Sequence, residues 1–340
     1  MEYFQVSKKV ISACYYPTRI ILIDDNEPFL QNIETQLNIE NITCSSFNTP
    51  SDFVKYFNEE YNIHPFSKTS FLWLEENDFD HRTIDINIRE IYKTLFNNKR
   101  FGEISIAISD YAMPDMNGLE LFANLKEDYP LKRILLTAEA DEKLAVQAFN
   151  DGLIDAFIRK DMQDFSKTLI TTIYNLQSKY FNNLSHFIMT CLTQDPSNTS
   201  CLNDSIFVSF FEALSKKYTE YYLLDEFGSY LLMDFEGKPT WLAVKTEEEA
   251  ESNYEIAKDF SETASVSPDL LETLRNRDKI IFLPPDINQN TILPSQWPKH
   301  AYPAKKIKGK KTYYYALIED VCFSKQPDKR VVSYRKYLEE

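Results

Sequence analysis

Glycine is scarce in this chain: six residues in 340, at positions 102, 118, 152, 228, 237 and 309. Neither a Gly-x-Gly-x-x-Gly run nor a Walker A loop can be written from them. A conventional dinucleotide or P-loop phosphate site is therefore excluded at motif level. Histidine is scarcer still, with four unclustered residues, and the five cysteines (Cys14, Cys44, Cys191, Cys201, Cys322) never take a Cys-x-x-Cys spacing. A zinc site is not expected. An odd, scattered set of thiols reads as reduced, which suits a cytoplasmic protein. The opening MEYFQVSKK has no apolar stretch, and no run reaches eighteen apolar residues. Neither a signal peptide nor a membrane span is expected, and no membrane partner. Positive charge is also short: 37 Lys and Arg against 52 Asp and Glu, a net of -15. Such a surface repels a phosphate backbone on average. From residue 195 onward there are 24 acidic and 19 basic residues, so -10 of the excess lies in the first 194.

What is present is core material. Hydrophobic residues make up 43% and aromatics 14%, enough for packed interiors, and the length suits two domains. The first half alternates strands with helices. Arg19-Ile-Ile-Leu-Ile-Asp24 is a β-branched apolar run of the kind buried on both faces. Asn26-Glu27-Pro28 then supplies a cap and a helix-starting proline, with Phe29, Ile33 and Leu37 following at four-residue spacing. Ile42 to Phe47 reads as a strand and Ser51 onward as a helix carrying Phe53, Val54 and Phe57. Ile104 to Ser109 is the next strand, ending at Asp110. Leu119 to Leu125 reads as a helix, Ile134 to Thr137 as a strand and Asp141 to Asn150 as a helix. Ala156 to Arg159 is the last strand and ends at Lys160. This order means an α/β, doubly wound, five-stranded parallel sheet. An insertion of about 60–102 interrupts it; Ile86, Ile88, Ile91, Tyr92 and Phe96 make it read as helical.

Asp164 to Leu192 is helical almost throughout. It is either a sheet-covering helix followed by a second helix, or one continuous helix whose exposed stripe pairs with a second copy. After the polar stretch 195–200 come a helix (Ile206 to Tyr218) and three short apolar runs with turns at Gly228 and Gly237. A Glu-rich helix (245–259), a proline-spotted loop and a hairpin around Gly309 complete an α+β output domain with antiparallel hairpins. The expected boundaries are an extension over 1–18, the α/β domain over 19–165, a helical linker over 166–200 and the output domain over 201–340.

In an open parallel sheet, reactive groups gather beyond the carboxyl ends of the strands. Those ends carry Asp24 and Asp25, Asp110, Thr137 and Lys160. Three close carboxylates need a counter-charge, and Mg2+ supplies one while accepting phosphate oxygens. Asp110 could then attack phosphorus to form an acyl phosphate, with Lys160 and the Thr137 hydroxyl pairing the new oxygens. Taken singly, an Asp pair is a helix cap, a lysine a turn residue and a threonine a β-former. It is their joint placement on successive strand ends that points to chemistry.

Asp24-Asp25, Asp110 with Met113-Pro-Asp-Met-Asn-Gly118, Thr137-Ala138 and Lys160 resemble the CheY-like receiver domain of two-component response regulators. The resemblance covers residues 19–165 apart from the insertion. It implies that Asp110 is the phosphoacceptor and that Asp24, Asp25, Asp110 and the Ala112 backbone carbonyl hold the metal. It further implies Thr137 as switch hydroxyl, Phe157 as the rotating aromatic and Ala138 beside the path to the phosphoryl group. The implied partner is a sensor histidine kinase or phosphotransfer protein, and phosphorylation is expected to drive homodimerisation. Lys160 is followed by Asp161 where the family usually has proline, while Asp155 and Asp161 read as surface charge. The long insertion and the layout of the C-terminal half resemble the quorum-sensing response regulators of Legionella type.

The output half offers less. No helix-turn-helix with a basic recognition helix is visible. Lys299, Lys305, Lys306, Lys308, Lys310 and Lys311 beside Tyr313, Tyr314 and Tyr315 could contact nucleic acid by phosphate pairing and base stacking. The same lysines equally suit an exposed hairpin edge that must resist sheet-to-sheet pairing. Asp225, Glu226, Asp234 and Glu236 could hold a metal, but turns are commonly acidic. No catalytic constellation is evident, and the chain reads as a regulator rather than an enzyme.

Overall fold

The structure is a computed structural model that describes residues 11–63, 72–77, 81–126, 129–138, 142–194, 201–260, 266–283, 294–319, 321 and 331–340. The stretch 195–200, residues 284–293 of the proline-spotted loop and Cys322 lie outside the described residues. The chain divides into two compact units. One comprises 15–67, 97–184 and 336–340; the other comprises 1–14, 68–96 and 185–335.

The first unit is built on five parallel strands: β2 (Arg19–Ile23), β3 (Cys44–Phe47), β6 (Ile104–Asp110), β7 (Lys132–Thr137) and β8 (Ala156–Arg159). Their order is β3-β2-β6-β7-β8, the doubly wound arrangement that reverses direction between β2 and β6. Ile20, Leu22, Ile106, Ile108, Ile134, Leu136 and Ile158 fill the sheet's core together with Leu30, Ile33 and Leu37 of α1 (Glu27–Ile39) and Leu169, Ile173 and Leu176 of α6 (Phe165–Gln194). These are the apolar positions spaced at helical and strand periods, and every residue of β6 is buried. The Asn26 side chain caps α1 by accepting from Phe29 N, and Pro28 stands in the first turn. Asn117 caps α4 (Gly118–Ala123) in a full capping box with Glu120. Of the two readings of the long helical stretch, the structure has the continuous one: α6 is unbroken over 30 residues.

The second unit carries a six-stranded sheet ordered β1-β9-β10-β11-β15-β14. Its members are β1 (Cys14–Tyr15), β9 (Glu220–Leu223), β10 (Tyr230–Met233), β11 (Pro239–Thr246), β14 (Lys305–Lys308) and β15 (Thr312–Glu319). From β9 to β14 neighbouring strands pair antiparallel. Phe207, Phe210 and Phe211 of α7 (Ser205–Ser215) pack on Tyr313, Tyr315, Tyr221 and Tyr230 across one face. The insertion, expected to be helical, carries a β-hairpin as well. β4 (Leu72–Asn77) and β5 (His81–Ile86) pair antiparallel, and only then comes the short α3 (Arg89–Lys93), followed by a 3-10 turn at Thr94–Phe96. Ile86 belongs to the hairpin, so the apolar stripe read as one helix is split. The period-two pattern of His81-Arg-Thr-Ile-Asp-Ile86 explains the split. Residues 68–96 group with the six-stranded sheet, and α3 packs against β9.

Candidate functional site

Four of the five strands of the parallel sheet bring a side chain from their carboxyl ends to one edge. Asp24 follows β2 and is 1% exposed, Asp110 ends β6 at 8%, and Thr137 ends β7 fully buried. Carboxylate oxygens of Asp24, Asp25 and Asp110 all lie within 4.8 Å of one another, and Asp25 is exposed. Lys160, just beyond β8, bridges two of them: its Nζ is 2.7 Å from Asp24 Oδ2 and 2.7 Å from Asp110 Oδ1. One ammonium thus pairs with two of three clustered carboxylates. Burial pushes the Asp110 carboxyl above the usual carboxylate range. The hydrogen bond and charge of Lys160 pull it back, and the Asp24 charge adds to the rise.

The residues around the cluster hold it in register. Asp24 Oδ1 accepts from Asn26 N at 2.9 Å, tying the acidic pair to the cap of α1. Lys160 N donates to Thr137 O at 3.0 Å, so β7 and the lysine turn are fixed to each other. Gly118 N donates to Tyr111 O at 3.0 Å and closes the loop after Asp110. A Cβ at Gly118 would fall 2.3 Å from Asp110 O and 2.7 Å from Leu135 Cδ1. Glycine is required there because backbone and β7 side chain already fill that space.

The donor set suits Mg2+: hard carboxylate oxygens, one exposed to solvent for the ion's remaining waters. A second observation points to an anionic oxygen beside them. Thr137 Oγ1 is buried and without a hydrogen-bond partner, an arrangement that costs about 1–3 kcal/mol unless something fills it. Among the described residues no other cluster of three or more acidic, His or Cys side chains could hold a metal. The hairpin acids do other work. Asp225 Oδ1 accepts from the backbone N–H groups of Phe227, Gly228 and Ser229, and Asp234 Oδ1 accepts from Lys238 N.

The remaining expected residues fall as follows. Ala138 and Ala112 are exposed, directly after Thr137 and in the loop after β6. Phe157 is half-buried, with its ring edge-on to Phe149 of α5 (Glu142–Asn150) at 6.4 Å. Asp161 pairs with Arg159, and Asp155 accepts from Lys132 Nζ and Arg133 N at 2.9 Å each. Lys305, Lys306, Lys308, Lys310 and Lys311 are exposed along β14, the edge strand, and its turn. Carboxylates border them: Lys311 Nζ is 3.6 Å from Glu248, and Tyr314, whose ring lies under Lys306 Nζ at 5.3 Å, donates to Glu247. Sequence reasoning missed Phe29 as a site residue; its ring centroid is 4.5 Å from Lys160 Nζ. Its position one turn after the acidic pair was the available signal. Four of the cysteines (Cys14, Cys44, Cys191 and Cys201) are free thiols. Among the described residues no helix is long and apolar enough to cross a membrane.

Residues 72–173 match the response regulator receiver domain family. That match takes in Asp110, Thr137 and Lys160 but begins after the first two strands, and the structure joins Asp24 and Asp25 to them. DNA-binding transcriptional regulator NtrC of Proteus hauseri is 45% identical over 51 residues, which is 15% of this chain; the match spans only 11% of NtrC's length. The Legionella pneumophila response regulator LqsR is 33% identical, with 97% of this chain and 96% of that chain covered and a TM-score of 0.74. Agreement of that extent reaches through both units, and the chain belongs to the response regulators, with a receiver domain of the two-component type.

Proposed function

We propose that the chain is a phosphorylation-switched regulator in which Asp110 accepts a phosphoryl group from a sensor histidine kinase or phosphotransfer protein. The receiver would span 19–165 apart from the insertion of about 60–102, with a helical linker over 166–200 and the output domain over 201–340. The observation that carries this reading is the meeting of Asp24, Asp25, Asp110 and Lys160 at one sheet edge beside the orphaned Thr137 hydroxyl. An Asp110 oxygen attacks phosphorus, the P–N bond of the phosphohistidine breaks, and the imidazole leaves with the electron pair and takes up a proton. Mg2+, when bound by Asp24, Asp25, Asp110 and the Ala112 carbonyl, offsets the charge gathered there. Lys160 turns from the carboxylates to the new phosphoryl oxygens, and Thr137 Oγ1 gains the acceptor it lacks. Hydrolysis of the acyl phosphate by water restores the carboxylate and releases inorganic phosphate.

Phosphorylation replaces the single negative charge of ionised Asp110 by a phosphoryl group carrying close to -2. Shifting a population from almost wholly off to almost wholly on takes about 5.5 kcal/mol of differential stabilisation. A metal, an ammonium and a hydroxyl acting together supply contacts of that order. The face of α5, β8 and α6 is the proposed output. Leu144, Val146 and Phe149 of α5 are exposed, the Phe149 ring lies edge-on to Phe157, and α6 leads out of the receiver without a break. Dimerisation of two copies through that face is the expected consequence. The resemblance in layout to Legionella-type regulators supports a place in quorum-sensing control.

Incubation with acetyl phosphate and Mg2+ tests the reading by intact mass. The chain should gain one phosphoryl group, and Asp110→Asn or chelation of the metal should abolish the gain. An unlabelled wild-type chain would sink the proposal. A change of mass in solution with beryllofluoride, absent in Asp110→Asn, tests the dimer. The competing reading, nucleic-acid binding through the β14 lysines, predicts affinity that falls steeply with salt. The carboxylates of α8 (Glu247–Asp259) beside those lysines weigh against it.

A further inference from the structure

We propose that Phe29 is a positioning residue for Lys160 and passes the lysine's displacement to helix α6 through Phe165. The proposal rests on the phosphoryl-acceptor reading and concerns how the signal leaves the pocket. Among the described residues the Lys160 ammonium meets Asp24, Asp110 and the face of the Phe29 ring, whose centroid is 4.5 Å from Nζ. A ring face attracts a cation without a directional acceptor. The ammonium can therefore swing from carboxylate to phosphoryl oxygen while staying over the ring.

The ring itself is held in place. Asn26 N donates to Asp24 Oδ1 at 2.9 Å, and Phe29 N donates to Asn26 Oδ1 at 3.1 Å. Phe29 is thus set in register with the same carboxylate that binds the lysine. Phe29 also packs on Phe165, with centroids 5.9 Å apart and planes at 47°. Phe165 is the first residue of α6. Both rings are partly buried against the sheet's core rather than free in solvent. Lys160 consequently reaches the start of α6 twice, along the chain through residues 161–164 and through space by way of Phe29. A shift of the ammonium loads the ring, and the ring loads the first turn of the helix.

Two measurements on the full chain test this. Selective 13C-lysine labelling, with Lys160→Arg for assignment, reads the Lys160 ε-methylene resonance without any phosphoryl chemistry. Wild type should show a ring-current shift that Phe29→Leu removes and Phe29→Tyr keeps; an unmoved resonance in Phe29→Leu overturns the proposal. Hydrogen exchange with Mg2+ and beryllofluoride reads the transmission. In wild type, protection should change around Asp110 and in the first turns of α6. Phe29→Leu and Phe165→Leu should keep the first change and lose the second, and Phe29→Tyr should restore it. An α6 response in Phe29→Leu equal to wild type overturns the proposal. No response around Asp110 in wild type removes the phosphoryl-acceptor reading instead, while the lysine resonance still decides the placement of Phe29. Labelling by acetyl phosphate should slow about three- to tenfold in Phe29→Leu.

Discussion

Lys160 reaches Asp110 across the ends of β8 and β6, Nζ to Oδ1 at 2.7 Å, and the same ammonium reaches Asp24 at 2.7 Å. Without a metal it is the cation these buried carboxylates share. Replacing it by methionine should lower stability by about 1–3 kcal/mol in metal-free buffer, because two buried acids lose their counter-charge. Mg2+ should recover much of that loss. Asp110→Asn should act oppositely. Burial raises the Asp110 carboxyl above its ordinary range, so its ionised form disfavours folding, and the amide removes that penalty. Thermal unfolding of both variants with and without Mg2+ checks the pair of signs. A destabilised Asp110→Asn in metal-free buffer would contradict the electrostatic account.

Gly118 is where a single methyl group should matter most. The Cβ of Gly118→Ala would press on Asp110 O at 2.3 Å, Leu135 Cδ1 at 2.7 Å and Ser109 Oγ at 3.1 Å. Two of these belong to the residue that ends β6 and to a core side chain of β7, neither of which can step aside freely. Overpacking of this kind costs about 1–3 kcal/mol. The expected outcome is a lower urea midpoint together with slower acyl phosphate formation. Loss of stability at an undiminished labelling rate would show that the loop tolerates the shift without moving Asp110.

The receiver was legible because its signals are local and redundant. The short, β-branched runs of β2 and β6 read as buried strands, Asn26 and Pro28 announce α1, and the candidate site side chains sit where strands stop. The continuity of α6 was not legible. A sheet-covering helix followed by a second one and a single long helix share the same apolar spacing, and tertiary contacts decide between them. The hairpin at 72–86 was hidden for a different reason: isoleucines at 86, 88 and 91 satisfy two periods at once. The Phe29–Lys160 contact joins residues 131 positions apart in the sequence. The place of Phe29 one turn after Asp24-Asp25 was the local signal, but no spacing rule pairs a ring there with a lysine so far along the chain.

The lysines of β14 are expected to be dispensable for folding. Lys305, Lys306 and Lys308 are exposed on the edge strand, whose core contact is made by Ile307, 7% exposed. Replacing all three lysines by alanine should shift stability by no more than about 0.5 kcal/mol per site. The exposed edge, stripped of charge, should instead become prone to self-association. Light scattering against concentration checks this. A triple variant that stays monodisperse but loses salt-sensitive oligonucleotide binding would favour the nucleic-acid reading.

Glu103 should give the protein a pH dependence unrelated to phosphate. It stands just before β6, 2% exposed, accepting from the hydroxyls of Tyr16 at 2.7 Å and Tyr180 of α6. Tyr129 and Tyr61 lie close by, and no ion pair to Glu103 is seen among the described residues. Burial pushes its carboxyl up to about 7, against the pull of the two tyrosine hydrogen bonds. The unfolded chain ionises this group near 4.5. Below 4.5 both states are protonated and there is no penalty. Between 4.5 and 7 the unfolded state releases its proton first, so stability falls as pH rises, by about 3 kcal/mol over the window. Above 7 the loss is complete. Glu103→Gln keeps a polar partner for Tyr16 and Tyr180 without the ionisation. Urea unfolding at pH 5, 6, 7 and 8 should therefore show a flatter profile for the variant and a clear gain over wild type at pH 8. Parallel profiles would mean that the carboxyl titrates in the folded protein as it does in the unfolded chain, because solvent reaches it.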